Sequence, residues 1–113
     1  MTLADCLDRH LAQATLRLRL DEELGNWHGL AWADFVLLQA LDVHPEGWAT
    51  TELARHLGLT PSALVLQLLP LEKLGLLARE QRANGARRVV LRAGGRRLVR
   101  EARATAEAAC AAA

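Results

Sequence analysis

The chain is poor in cysteine and lysine and has no long apolar run. Its two cysteines, Cys6 and Cys110, lie near opposite ends, there is a single lysine, and no stretch of 18 apolar residues is free of charge. Two distant cysteines make no disulfide framework, and without paired Cys-x-x-Cys motifs a structural zinc site has no ligand set. Cys6 and His10 are spaced as a metal pair on one helix face, but no third ligand is identifiable. Asp5 and Asp8 disfavour a Cys6 thiolate, which argues against redox sensing. The missing apolar run excludes a helical membrane span. Met1-Thr2-Leu3-Ala4-Asp5 lacks the basic-then-apolar order of a secretory signal, so a cytoplasmic address is expected. Catalytic groupings are missing too. Ser62 has no His–Asp partnership in view, there is no glycine-rich phosphate loop, and Glu22-Glu23 falls in an expected loop. The sequence thus reads as a non-enzyme with neither cofactor nor metal.

What is present is enough for one core. A chain of 113 residues, 51% of them apolar, forms a single domain. The net charge of +1 hides a polarised distribution. Residues 1–52 hold nine acids and three bases, whereas residues 79–103 hold nine arginines (79, 82, 87, 88, 92, 96, 97, 100, 103) against Glu80 and Glu101. A basic half beside an acidic half suggests a localised polyanion contact, the plain alternative being a surface that only solvates itself.

Helical periodicity and its stop signals divide the chain. Leu3, Leu7, Leu11, Ala14 and Leu18 predict a helix over 3–20, broken by Asp21-Glu22-Glu23-Leu24-Gly25-Asn26. Trp32, Phe35, Val36, Leu38 and Leu41 predict a second over 31–43, stopped by Pro45-Glu46-Gly47. Thr50 is expected to cap a third, 51–57, ended by Gly58. Thr60 followed by Pro61 is a helix-start signal for a fourth over 61–74, with Gly75 as its stop. Leu76–Gln81 and Arg87–Arg92 read as strands joined at Asn84-Gly85, a pair suited to a two-residue turn with positive φ at both positions. Trp48-Ala49 is a candidate third strand, and a last helix is expected over 94–109.

That order is a helix-turn-helix followed by a wing, an architecture that places one helix in the DNA major groove. The expected fold class is α+β, mostly α, as one winged-helix domain over 1–113. Residues 1–24 and 94–113 would be terminal helices, and 25–93 the helix-turn-helix and wing.

Four segments in this order resemble the MarR family of bacterial transcriptional regulators. They are Gly29-Leu30 with Phe35 and Leu38; Thr51-Glu52-Leu53-Ala54 with Leu57-Gly58-Leu59-Thr60; Leu71-Glu72-Lys73-Leu74-Gly75-Leu76-Leu77-Ala78-Arg79; and Val89-Val90-Leu91-Arg92 with Gly95. The likeness covers roughly residues 24–100. It implies a homodimer on a pseudo-palindromic operator in double-stranded DNA, with the terminal helices as a dimerisation layer. It also implies release by a small ligand, often phenolic, or by an oxidant. Trp27, His28 and Trp32 fall where the family borders its ligand cleft, and an aromatic-lined pocket there would suit a planar effector. The alternative is that Trp32 is core and Trp27 packs at the dimer seam.

The chain departs from the family in its fourth helix. Groove-facing positions, usually polar, hold Val65, Leu66, Leu69 and Pro70, and Gln67 replaces a usual apolar residue. Pro70 is expected to kink or end the helix near Leu69. Ala31 stands where a Ser or Thr cap is usual, and the wing tip reads Ala83-Asn84-Gly85. Candidate base readers are Thr60, Ser62 and Gln67. Candidate phosphate contacts are Ser62, Arg55, Lys73 and the wing residues Arg82, Arg87 and Arg88. Two functions follow. One is a dimeric DNA-binding regulator. The other is a winged-helix interaction module that no longer binds specific DNA, docking a protein on the strip Val65, Leu66 and Leu69.

Overall fold

Leu16, Leu20 and Leu24 carry the four-residue apolar spacing straight through the acidic run expected to break the first helix. Burial of Leu20 and Leu24 outweighs the weak helix preference of the residues between them, so α1 is one unbroken helix, Leu3–His28. In the computed structural model, which describes residues 1–113, α1 begins in a capping box between Thr2 and Asp5 and stops at Gly29 in the left-handed conformation, φ 67°. Then follow α2 (Trp32–Asp42), β1 (Trp48–Ala49), α3 (Thr50–Leu57), α4 (Pro61–Lys73), β2 (Leu77–Gln81), β3 (Arg87–Leu91) and α5 (Ala93–Ala111).

The expected α+β winged-helix order is therefore present, with differences in local detail. Ala31 supplies no side-chain cap to α2, but the Trp32 N–H donates to Asp21 Oδ1 of α1 at 2.7 Å, so the missing cap comes from a neighbouring helix. Thr50 is the first residue of α3 and not its cap; the capping position is Ala49, which has no side chain to offer. Thr60 caps α4 as expected, accepting from the Ala63 N–H at 3.1 Å. Pro70 does not end α4 early. The helix reaches Lys73 because Leu71 is buried in the core and holds the last turn in place. Pro70 and Lys73 themselves are exposed.

The sheet has the order β1-β3-β2, all antiparallel, with Trp48 opposite Val89 and Leu77 opposite Leu91. The hairpin tip is wider than the expected two-residue turn. The Gly85 N–H donates to the Arg82 carbonyl, Asn84 Oδ1 accepts from the Ala86 N–H, and only Gly85 has positive φ, at 85°. The side-chain acceptor of Asn84 stabilises a three-residue loop over 83–85, so Asn84 keeps an ordinary φ.

One core joins all the layers. Leu20 and Leu24 of α1, Phe35, Leu37, Leu38 and Leu41 of α2, Leu53 of α3, Leu64, Leu68 and Leu71 of α4, Leu77 and Val89 of the sheet, and Val99, Ala102 and Ala106 of α5 are buried together. α1 and α5 run antiparallel, fastened by His28 Nε2 to Thr105 Oγ1 at 2.8 Å and by Arg19 Nη1 to the Ala112 carbonyl at 3.5 Å. The alanines of α5 let the two helices approach closely. By contrast, residues 3–15 of α1 are exposed on every side. No helix of the chain is long and apolar enough to cross a membrane.

Candidate nucleic-acid interface

α4 has three distinct sides. Leu64, Leu68 and Leu71, spaced four and three residues apart, face the core. On the opposite side Ser62, Leu66, Leu69 and Lys73 form an exposed row, with Leu66 71% and Leu69 40% exposed. Between them, half-buried Val65 lines a cleft of about 580 Å³ towards the wing, together with Thr50, Thr51, Glu72, Arg79 and Arg87.

Gln67 does not lie on the outward row. Its Nε2 donates to the Ala33 carbonyl at 2.9 Å, a link from α4 to the first turn of α2. Gln67, expected as a base reader, is instead half-buried and engaged through its amide nitrogen with a main-chain acceptor. Thr60 Oγ1 is likewise engaged by the helix cap, leaving Ser62 as the exposed hydroxyl at the start of α4.

The cations divide in the same way. Arg82 donates to the Glu46 carbonyl at 3.1 Å and pairs with Glu80 at 3.4 Å. Arg88 is half-buried and donates to the Gly47 carbonyl at 2.8 Å. Both hold the wing against the β1 approach. Arg79 forms a two-pronged pair with Glu72, which lowers the pKa of the Glu72 carboxyl, chiefly through the Arg79 hydrogen bond. Arg55 on α3, Lys73 at the end of α4 and Arg87 on β3 are exposed and enter none of the ion pairs of the chain. These three, together with Ser62, are the predicted phosphate contacts that remain free.

Much of the arginine concentration in residues 79–103 serves packing. Arg96, Arg100 and Arg103 converge on the Asp42 carboxylate at 3.7, 3.3 and 3.1 Å, and the Asp42 side chain is only 6% exposed. Burial on its own would raise the Asp42 pKa, but hydrogen bonds from Arg103 and Arg100, reinforced by their charge, hold it below the usual aspartate range. The sequence reading missed this cluster. The i, i+4, i+7 spacing of the three arginines on α5 was the signal for a shared partner.

Trp27, His28 and Trp32 do not meet in one cavity within the chain. Trp27 is 74% exposed and borders a shallow hollow between α1 and α5 with Arg19, Glu23 and Thr105. His28 is tied to Thr105, and Trp32 stacks on Phe35 with ring centres 5.5 Å apart against the core. Trp27 and His28, one apart on α1, point about 100° away from each other, and Trp32 belongs to α2.

No family model matches the chain. Over 83 residues it is 39% identical to the HTH-type transcriptional repressor Rv2887 of Mycobacterium tuberculosis, a match that takes in 72% of this chain and spans 59% of the length of that relative. The crystal structure of Rv2887 with p-aminosalicylic acid superposes with a TM-score of 0.75 at 35% identity, covering 98% of this chain and 82% of that one. The structure of Rv2887 in complex with DNA gives a TM-score of 0.75 at 34% identity, covering 98% and 80%. A MarR-family regulator from Rhodococcus sp. RHA1 gives 0.82 at 25% identity, covering 96% and 80%. The order of helices, hairpin and wing is the winged helix-turn-helix that these structures share. The chain belongs to the MarR family.

Proposed function

We propose that this chain is a DNA-binding transcriptional repressor of the MarR type. It works in the cytoplasm as a homodimer on a pseudo-palindromic operator and is released by a small aromatic ligand. One observation carries the reading. Arg55, Lys73 and Arg87, from α3, α4 and the wing, stand exposed and enter none of the ion pairs of the chain, in a fold shared with a protein crystallised on DNA. Cations from both neighbours of a helix suit the two phosphate backbones that border a major groove.

The homodimer is supported by α1. Leu3, Leu7, Leu11 and Leu18 are exposed on it, a row too long for a monomer to leave in water without cost. Changing Leu7 and Leu11 to Glu is expected to convert the dimer to monomer in sedimentation velocity. The aromatic ligand is supported by the relative Rv2887, which is crystallised with p-aminosalicylic acid and with salicylic acid.

The deciding experiment is a fluorescence-anisotropy titration with duplexes from the promoter region of the gene itself. Binding is expected at low salt, falling steeply between about 50 and 200 mM, and weakening further with salicylate. Absence of binding at low salt would overturn the proposal. The exposure of Leu66 and Leu69 favours a second reading, an interaction module that docks a protein there. Leu66→Arg with Leu69→Asp would abolish that association without unfolding the chain.

A further inference from the structure

The outward row of α4 carries polar side chains only at its two ends, and its centre has none of the side chains that ordinarily read base edges. Ser62, Leu66, Leu69 and Lys73 follow one another at i, i+4, i+7 and i+11 directly opposite the buried row, and the central pair is aliphatic. Gln67, the one amide on the helix, is turned inward onto Ala33. An aliphatic group pressed on a base edge leaves the edge's donors and acceptors without partners, which costs free energy at any polar position. The apolar feature in the major groove is the C5-methyl group of thymine.

Resting on the DNA-binding reading above, we propose that Leu66 and Leu69 determine operator specificity by packing on thymine methyl groups at neighbouring base pairs. The two residues lie about 4.5 Å apart along the helix axis, close to the roughly 3.4 Å step between successive bases of a strand. The choice of a duplex over a protein as the occupant rests on charge. Lys73 stands in the same row and Arg87 lines the cleft that Val65 of α4 shares with the wing, both exposed and in none of the ion pairs of the chain. Phosphates satisfy these cations. Binding energy then comes from backbone contacts and selectivity from shape and methyl contact, so the preferred half-site is rich in thymine where α4 enters the groove.

The test uses the full chain and a random-sequence duplex pool. The best-bound duplex is selected, and each thymine of its half-site is replaced in turn by deoxyuridine, which removes the methyl group while keeping every base-pairing atom. Binding is expected to weaken about fourfold at one or two adjacent positions of each half-site, the loss that corresponds to one buried methyl group. Leu66→Ala, a change at an exposed site, should keep the melting curve of the parent and bind the thymine and deoxyuridine duplexes alike at one of those positions. Leu69→Ala should do the same at the neighbouring one. Selective binding with no deoxyuridine-sensitive position would overturn this inference and leave the DNA-binding reading intact. Failure of any duplex to bind at low salt would overturn both.

Discussion

One guanidinium nitrogen of Arg103 lies 2.7 Å from Oε1 of Gln39 and 3.1 Å from Oδ2 of Asp42, so a single side chain of α5 spans a full turn of α2. Arg100 and Arg96 complete the enclosure of Asp42. The helix that leads into the helix-turn-helix is thereby fastened to the terminal helix layer by charge as well as by packing.

The Asp42 cluster sets an acid limit on stability. The folded pKa is lowered, so its contribution is complete above the unfolded value of about 3.9 and is lost as pH falls through the lower folded value. Asp42→Asn is expected to reduce the unfolding free energy by about 2 kcal/mol at pH 7, a modest figure because the arginines are more than a third exposed and solvent screens them. The gap between variant and parent should close below about pH 4. Urea titrations at pH 7 and pH 3 measure both.

Gly95 is predicted to be intolerant of any side chain. A Cβ there would sit 2.1 Å from the Leu76 carbonyl oxygen and 2.7 Å from Leu91 Cδ1. The first of these is backbone and cannot swing aside. Gly95→Ala should cost about 3 kcal/mol or more, read as a fall in melting temperature, whereas Gly94→Ala, whose nearest neighbours stand at 3.9 Å, should be close to neutral.

Arg87 and Arg88 are adjacent but should fail differently. Arg87→Ala removes a free cation, and the slope of log affinity against log salt should drop by about 0.9 for each phosphate that is no longer neutralised. Arg88→Ala removes the bond to the Gly47 carbonyl. It should lower stability by about 1–2 kcal/mol and leave the salt slope near that of the parent.

Gln67→Ala separates a structural from a reading role. Its bond to Ala33 predicts a loss of about 1 kcal/mol in stability. The base preferences of the variant, measured by the same selection from random duplexes, should match those of the parent.

The sequence carried the architecture well where local chemistry decides it. Thr60-Pro61 opened α4, and Gly58 and Gly75 closed helices in positive φ, as their residue types require. It misled where distant parts of the chain intervene. The acidic run 21–26 looked like a breaker because its partners on α5 are far away in sequence. Asp21 looked like part of that loop and is instead the cap of α2. Pro70 looked like a helix end, since nothing local reveals that Leu71 is anchored in the core. The same holds for the arginines. Their number was plain, but which face water, which face Asp42 and which hold the Gly47 and Glu46 carbonyls depends on tertiary placement.

Gly47 sits where β1 meets β3, at φ 87°, so close that a Cβ would lie 2.8 Å from the Val89 carbonyl oxygen. Its own carbonyl is gripped by Arg88. The root of α3 and the middle of the hairpin are thus joined by a close backbone approach and an arginine bond. In the dimer proposed above, an effector lodged among the terminal helices would have to move α3 and hairpin together. Induction would then alter the spacing between the two subunits' recognition elements and leave the surface that each offers to its half-site unchanged.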